Sequence, residues 1–196
     1  RLLMTMEKQG VPVIVCFNKK DLIKDQELEL LDQAYEHCGH QVVFISVKEE
    51  EGIEEIRKLI AGKTTVLAGP SGVGKSSLMN LLHPDANMET GSVSKKIHRG
   101  RHTTRHTELI MVEEDTFVLD TPGFSSLFID RFEEDEIKEY FQEFAPYESK
   151  CRFQGCSHTH EPDCAVKQAL EEGRISRIRY DDYVSIYNEI KEKRKW

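Results

Sequence analysis

Residues Gly69-Pro70-Ser71-Gly72-Val73-Gly74-Lys75-Ser76 constrain this chain more than any other stretch. They fit G-x-x-x-x-G-K-S/T, follow the apolar run Thr64–Ala68 and open a helical pattern over Lys75–Leu82. Strand, glycine-rich loop and helix form the context in which this motif cradles phosphate. The glycines let the backbone curl so that successive N–H groups point inward, and the helix start adds positive dipole character. Lys75 is expected to reach the β and γ phosphates as a catalytic group. The Ser76 hydroxyl is expected to ligate Mg²⁺, and Ser77 completes the cradle. A glycine-rich turn matching by chance is the competing reading, and the strand–helix context argues against it.

The remaining periodicities fit the same frame. Val11–Phe17 and Gln41–Ser46 read as short apolar strands, the first of them buried, with a helix between them from about Asp25 to Cys38 and another from Gly52 to Ile60. Such alternation predicts an α/β fold with a mostly parallel sheet. Glu108–Val112 and Thr116–Leu119 read as an antiparallel edge hairpin. Past Gly123 the pattern turns helical: Ile137, Tyr140, Phe141 and Phe144 recur at helical spacing, as do Tyr183, Ile186, Tyr187 and Ile190. A domain boundary is expected near Phe132, giving units of residues 1–131 and 132–196.

The base is chosen elsewhere. Asn18-Lys19-Lys20-Asp21 lies just past the end of the first strand, where α/β sheets bind ligands. A carboxylate at Asp21 can accept hydrogen bonds from guanine N1–H and the exocyclic amine, a donor pair adenine lacks. Asn18 can bridge to the phosphate loop, and the Lys19 stem can cover a purine face. Ser46-Val47-Lys48, after the next strand, resembles the Ser-Ala-Lys loop of GTPases, whose backbone N–H reads guanine O6. Val47 replaces the alanine. Asp120-Thr121-Pro122-Gly123 fits D-x-x-G: Asp120 is expected to hold Mg²⁺ through water and the Gly123 N–H to sense the γ-phosphate.

Phe124 follows, where Ras-type enzymes carry the glutamine that orients water. Gly100-Arg101-His102-Thr103-Thr104 stands where the first switch belongs. One of Thr103 and Thr104 is expected to ligate Mg²⁺ and contact the γ-phosphate, with Thr104 the candidate metal ligand and Thr103 the alternative. His102 is the candidate for positioning water, because imidazole titrates near neutrality; a solvated loop histidine is the alternative. Around it, Lys95, Lys96, Arg99, Arg101 and Arg105 make Gly91–Thr107 basic and free of acid, as either a charged loop or a phosphate contact.

The chain has five cysteines. Cys16 and Cys38 read as packing residues. Cys151-x₄-Cys156-x-His158-x₅-Cys164 supplies three thiolates and an imidazole, a closed structural zinc set with no place left for a catalytic water. His160 is the rival imidazole.

The net charge of −8 argues against uniform coating of nucleic acid. No apolar run approaches the roughly 20 residues that span a bilayer, so no membrane partner is expected. The chain opens inside what reads as a helix and is read as a fragment whose N-terminal part is out of view.

The order of these motifs is a rotation of the Ras order: N-K-K-D and S-V-K precede the phosphate loop. Closely placed termini make such a permutation physically cheap. Permuted motifs, G-P-S-G-V-G-K-S-S, G-R-H-T-T, D-T-P-G-F and the cysteine–histidine module together resemble the bacterial ribosome-small-subunit-dependent GTPases, the RsgA/YjeQ family. The resemblance implies a circularly permuted P-loop GTPase fold with a small helical zinc-binding domain. It also implies GTP and GDP as ligands with Mg²⁺, one structural Zn²⁺, a monomer in the cytoplasm, and the small ribosomal subunit and its rRNA as partners. Family members carry an OB-fold ahead of the GTPase domain, and residues 1–196 are expected to hold the GTPase and zinc-binding parts without it. Two other classes compete: a module using GTP only as a conformational ligand, and a nucleotide kinase, which would lack N-K-x-D and D-x-x-G.

Overall fold

The computed structural model of the chain describes residues 1–84, 108–120 and 132–193. In chain order its elements are α1 (Leu2–Lys8), β1 (Ile14–Phe17), α2 (Asp25–Tyr35), β2 (Gln41–Phe44), α3 (Ile53–Ile60) and β3 (Thr64–Val66). They continue with α4 (Lys75–Leu82), β4 (Glu108–Glu113), β5 (Thr116–Asp120), α5 (Ala145–Glu148), α6 (Ala165–Glu171) and α7 (Arg177–Lys193). β3 runs parallel to β5 and β4 antiparallel to it, so the sheet has the order β3-β5-β4 with the hairpin strand at its edge. β1 and β2 form a two-stranded sheet.

The first strand is shorter and less buried than the sequence suggested. Pro12 has no N–H to give to a ladder, and β1 begins only at Ile14. Ile14, Val15 and Phe17 are half-buried, whereas Cys16 is exposed. Cys38, by contrast, is buried. Helix α2 stops at Tyr35, ahead of the left-handed Gly39 at φ +79°.

Contacts divide the chain into two compact units: Cys16–Ile23 with Val43–Ser126, and Arg1–Val15 with Lys24–Val42 and Leu127–Trp196. In the first, Ile53, Ile56 and Ile60 on one face of α3 are buried, with Leu78, Met79 and Leu82 of α4. Arg57 closes this layer. Its guanidinium donates to the carbonyls of Leu81 (2.7 Å) and Leu82 (3.2 Å) and to the Glu113 carboxylate (2.8 Å). A cation thereby caps the open carbonyl end of α4 and ties it to β4. At the start of α3, Gly52 has φ +77°, and a Cβ there would stand 2.8 Å from Ile45 Cγ2, so the tight turn after Ser46 requires glycine.

The second unit has an aromatic core: Phe141, Phe144, Tyr180, Tyr183 and Tyr187 pack with Ile137, Val166, Ile186 and Ile190. The spacing in α7 translates directly into this buried stripe. The stretch around Phe141 does not form the helix its spacing suggested. It makes successive 3₁₀ turns, Ile137–Tyr140 and Gln142–Phe144, before the short α5. Pro146 provides the reason, since its ring in a continuous helix would strike the carbonyl of Gln142. Ile137, Phe141 and Phe144 are nonetheless buried.

Within this core lies an ion pair. Arg179 Nε donates to Glu143 Oε1 at 2.7 Å and Nη2 to Oε2 at 3.3 Å, with both residues buried. The guanidinium also stands over the Phe141 and Tyr35 rings, at 4.7 and 5.4 Å, joining α2 to α7. Removing one partner of such a pair leaves an uncompensated buried charge, which costs about 3–5 kcal/mol. Arg179→Met should lower unfolding free energy by about that much in urea titrations, and Arg179→Met with Glu143→Leu should recover most of the loss. Equal stability of the single variant and the parent would contradict the pairing.

Candidate nucleotide site and metal centre

Three loops distant in sequence meet at the carboxyl ends of β1, β2 and β3. Asn18 joins them. Its Nδ2 donates to the Val73 carbonyl at 2.9 Å, and its Oδ1 accepts the N–H groups of Val47 (3.0 Å) and Lys19 (2.7 Å). Lys19 takes a left-handed φ of 70°, and its Nζ donates to the Gly72 carbonyl at 2.8 Å. Gly74 has φ +101°, and a Cβ there would lie 2.3 Å from Asn18 Nδ2. The third glycine of the motif is therefore needed for the close approach of Asn18 as well as for its backbone angle.

The acidic end of N-K-K-D is set by Ser46. This buried hydroxyl accepts the Glu49 N–H at 3.1 Å and donates to Asp21 Oδ1 at 2.6 Å. The bond to Ser46 holds the Asp21 carboxyl below its ordinary range, and the charges of Lys48 and Lys19 act in the same direction. Lys20 takes no part in this cluster and pairs with Glu51 at 2.6 Å; Lys48 pairs with Glu49. Lys75 Nζ donates to the carbonyls of Gly69 and Pro70, both at 2.8 Å, across the loop. Ser76 and Ser77 lie in the first turn of α4. Asp120 ends β5 opposite Glu108. His102, Thr103, Thr104, Gly123 and Phe124 lie outside the described residues.

The metal donors form a separate cluster. One ligand atom each from Cys151, Cys156, His158 and Cys164 lies within 4.8 Å of the others. His158 turns Nδ1 toward the thiols, 3.4 Å from Cys164 Sγ and 3.7 Å from Cys151 Sγ. Its Nε2 stands 3.0 Å from Glu148 Oε1. Burial lowers the His158 pKa, favouring the neutral imidazole that ligates metals, and pushes the Cys156 and Cys164 thiols up. Thiolates in such a place need a cation beside them, and three thiolates with one imidazole fit tetrahedral zinc. The rival His160 turns to Thr159 Oγ1 at 2.9 Å and is exposed.

Three groups around this loop are not signalled by the sequence pattern: two tyrosines that only folding brings near, and Glu161 within the loop itself. Tyr180 Oη donates to the His158 carbonyl at 2.6 Å and Tyr183 Oη to the Ser157 carbonyl, reaching from α7. Glu161 accepts the N–H groups of Ser157 (2.7 Å) and Thr159 (3.3 Å). A tyrosine at helical spacing reads as core, and nothing in its spacing reports where the hydroxyl points.

Known proteins place this combination. The RsgA GTPase family matches residues 1–130. A small ribosomal subunit biogenesis GTPase RsgA from Agathobacter rectalis is 53% identical over all of this chain, which spans 65% of that relative's length. The relative of the same description from Alkaliphilus metalliredigens is 45% identical, and the chain spans 66% of it. Among solved structures, YjeQ from Thermotoga maritima aligns with a TM-score of 0.77 at 35% identity, covering 96% of this chain and 63% of its own. YloQ, described as a circularly permuted GTPase, aligns at 0.75 and 38% identity, covering 98% and 61%. The α/β arrangement and the rotated motif order are thus those of a circularly permuted GTPase, and the chain belongs to the RsgA GTPase family.

Proposed function

We propose that this chain binds GTP and hydrolyses it to GDP and phosphate, in the service of late maturation of the small ribosomal subunit. The observation that carries the reading is the Asn18 carboxamide, bonded at once to the phosphate loop and to the Ser46-Val47-Lys48 loop. That bond brings a base-reading carboxylate, Asp21, and a phosphate cradle, Gly69–Ser77, into one site. The names of the relatives supply the ribosomal setting, and among the described residues no helix is long and apolar enough to cross a membrane. The cytoplasm, a monomer and contact with rRNA belong to the same proposal, as do a GTPase domain over 1–131 and a zinc-binding domain over 132–196.

In this mechanism Asp21, oriented by Ser46, accepts the two donors on the guanine edge. Lys19 covers the purine face, and the N–H groups of the phosphate loop and of the α4 N-terminus hold the phosphate oxygens. Lys75 exchanges its two loop carbonyls for the β and γ phosphate oxygens. Ser76, Thr104 and Asp120 would hold Mg²⁺, which neutralises the charge on the β and γ phosphates. His102 positions the attacking water, in the absence of a polar side chain at Phe124. Cys151, Cys156, His158 and Cys164 would hold one structural Zn²⁺, which would contribute folding energy to a segment with little regular structure.

Asp21→Asn should weaken GTP binding by roughly 100-fold or more, since two hydrogen bonds to a charged acceptor are lost, and should shift preference to xanthosine triphosphate. Competition titrations with GTP, ATP and XTP read this, and equal GTP and ATP affinity in the parent protein would overturn the guanine assignment.

Turnover is tested with and without small ribosomal subunits. Lys75→Ala should reduce it by about 10²–10³. His102→Ala should reduce the stimulated kcat by about 10²-fold or more at unchanged GTP affinity. Stimulated turnover that survives in His102→Ala would assign the water to another group. Absence of hydrolysis in a single-turnover assay of the parent with subunits would instead favour a purely conformational GTP module.

Elemental analysis should find one zinc per chain, and Cys156→Ser should lose it together with a sharp fall in Tm. Zinc-free folded protein would contradict the assignment.

A further inference from the structure

The zinc reading leaves Glu148 unexplained. It belongs to none of the ligand positions and sits on the short α5, three residues ahead of Cys151. Its Oε1 nevertheless stands 3.0 Å from His158 Nε2, on the side of the ring opposite the thiols. The carboxylate is itself placed. Lys138 Nζ lies 3.4 Å from the same oxygen and 3.4 Å from the Cys156 carbonyl, to which it donates. Lys138 thus spans the carboxylate and the backbone of a second ligand residue. The ring is further fixed by Phe144, edge-on with centroids 5.7 Å apart, and by Tyr180 on the His158 carbonyl.

An imidazole offers two nitrogens, and a metal takes one while the other keeps its proton. A carboxylate at Nε2 accepts that proton's hydrogen bond and leaves Nδ1 as the free donor. It also raises the basicity of the ligating nitrogen and locks the ring plane. His158 takes a left-handed φ of 57°, a region that histidine enters more readily than most non-glycine residues. We propose that Glu148 is a positioning residue of the metal centre: it fixes His158 in the form with a proton on Nε2 and a free Nδ1, so that this chain takes zinc through Nδ1. The proposal rests on the zinc reading above.

The test uses the full-length zinc-loaded protein and competition with a chromophoric chelator. Glu148→Ala should raise the zinc Kd by about 10- to 100-fold, the usual effect of removing an outer partner of a ligating histidine. In Glu148→Gln the amide oxygen still accepts from Nε2–H, so most of the affinity should return. Nitrogen-15 spectra of the histidines should show His158 protonated on Nε2 in the parent protein. A parent that binds zinc with a metal-bound Nε2 would overturn the proposal, as would an unchanged Kd in Glu148→Ala. Should the alanine variant fail to fold, the spectrum of the parent still decides. A parent that binds no zinc at all would instead refute the metal reading on which this stands.

Discussion

One carboxamide organises the candidate nucleotide site. Asn18 gives its amide to the Val73 carbonyl and takes the N–H groups of Val47 and Lys19 on its oxygen, so a single planar group sets the spacing of two loops and the backbone angle of a third residue. The left-handed Lys19 is held by that acceptor, and Gly74 must lack a Cβ because the amide occupies its place. Every bond in this set is short range and directional, and none depends on which loop comes first along the chain.

Circular permutation is tolerated for the same reason. In the Ras order the phosphate loop opens the domain and the base-reading loops end it; here Asn18 and Ser46 precede Gly69. What must survive the change is local: a strand delivering each loop, a helix starting at Lys75, and a turn tight enough to present Ser46 to Asp21. Gly52 and the paired N–H and C=O groups of Ser46 and Glu51 supply that turn. Arg57 fixes the far end of α4 by capping its last carbonyls, so the phosphate-loop helix is pinned at both ends.

What was legible in the sequence follows from the range of the interactions. The glycine-rich loop, the helix after it and the Cys/His spacing are local patterns, so their elements could be read with little error. Strand β1 is shorter than its apolar run because Pro12 removes one donor, and it is less buried than that run suggests, since Cys16 faces solvent. The 3₁₀ turns from Ile137 look helical in the sequence because burial of Ile137, Phe141 and Phe144 has helical spacing whatever the backbone does. Pro146 breaks the backbone while leaving the buried face intact. The Arg179–Glu143 pair and the tyrosine hydroxyls under the cysteine loop were invisible, since partners 22 to 36 residues apart leave no periodicity.

The metal centre shows how such non-local groups replace regular structure. Between Cys151 and Cys164 no helix or strand forms, so the loop's polar backbone needs partners of another kind. Tyr180 and Tyr183 reach up from α7 to two consecutive carbonyls, while Glu161 takes two of the N–H groups. The same tyrosine rings pack against Phe144, which meets the His158 ring in a T-shaped contact. A ligand loop and an aromatic core therefore share their side chains. The donor atoms of Cys151, Cys156, His158 and Cys164 crowd together, and the His158 ring meets the core at Phe144. A metal held by these four donors would be coupled to the packing of α7, because Tyr180 and Tyr183 serve both the ligand loop and the aromatic core.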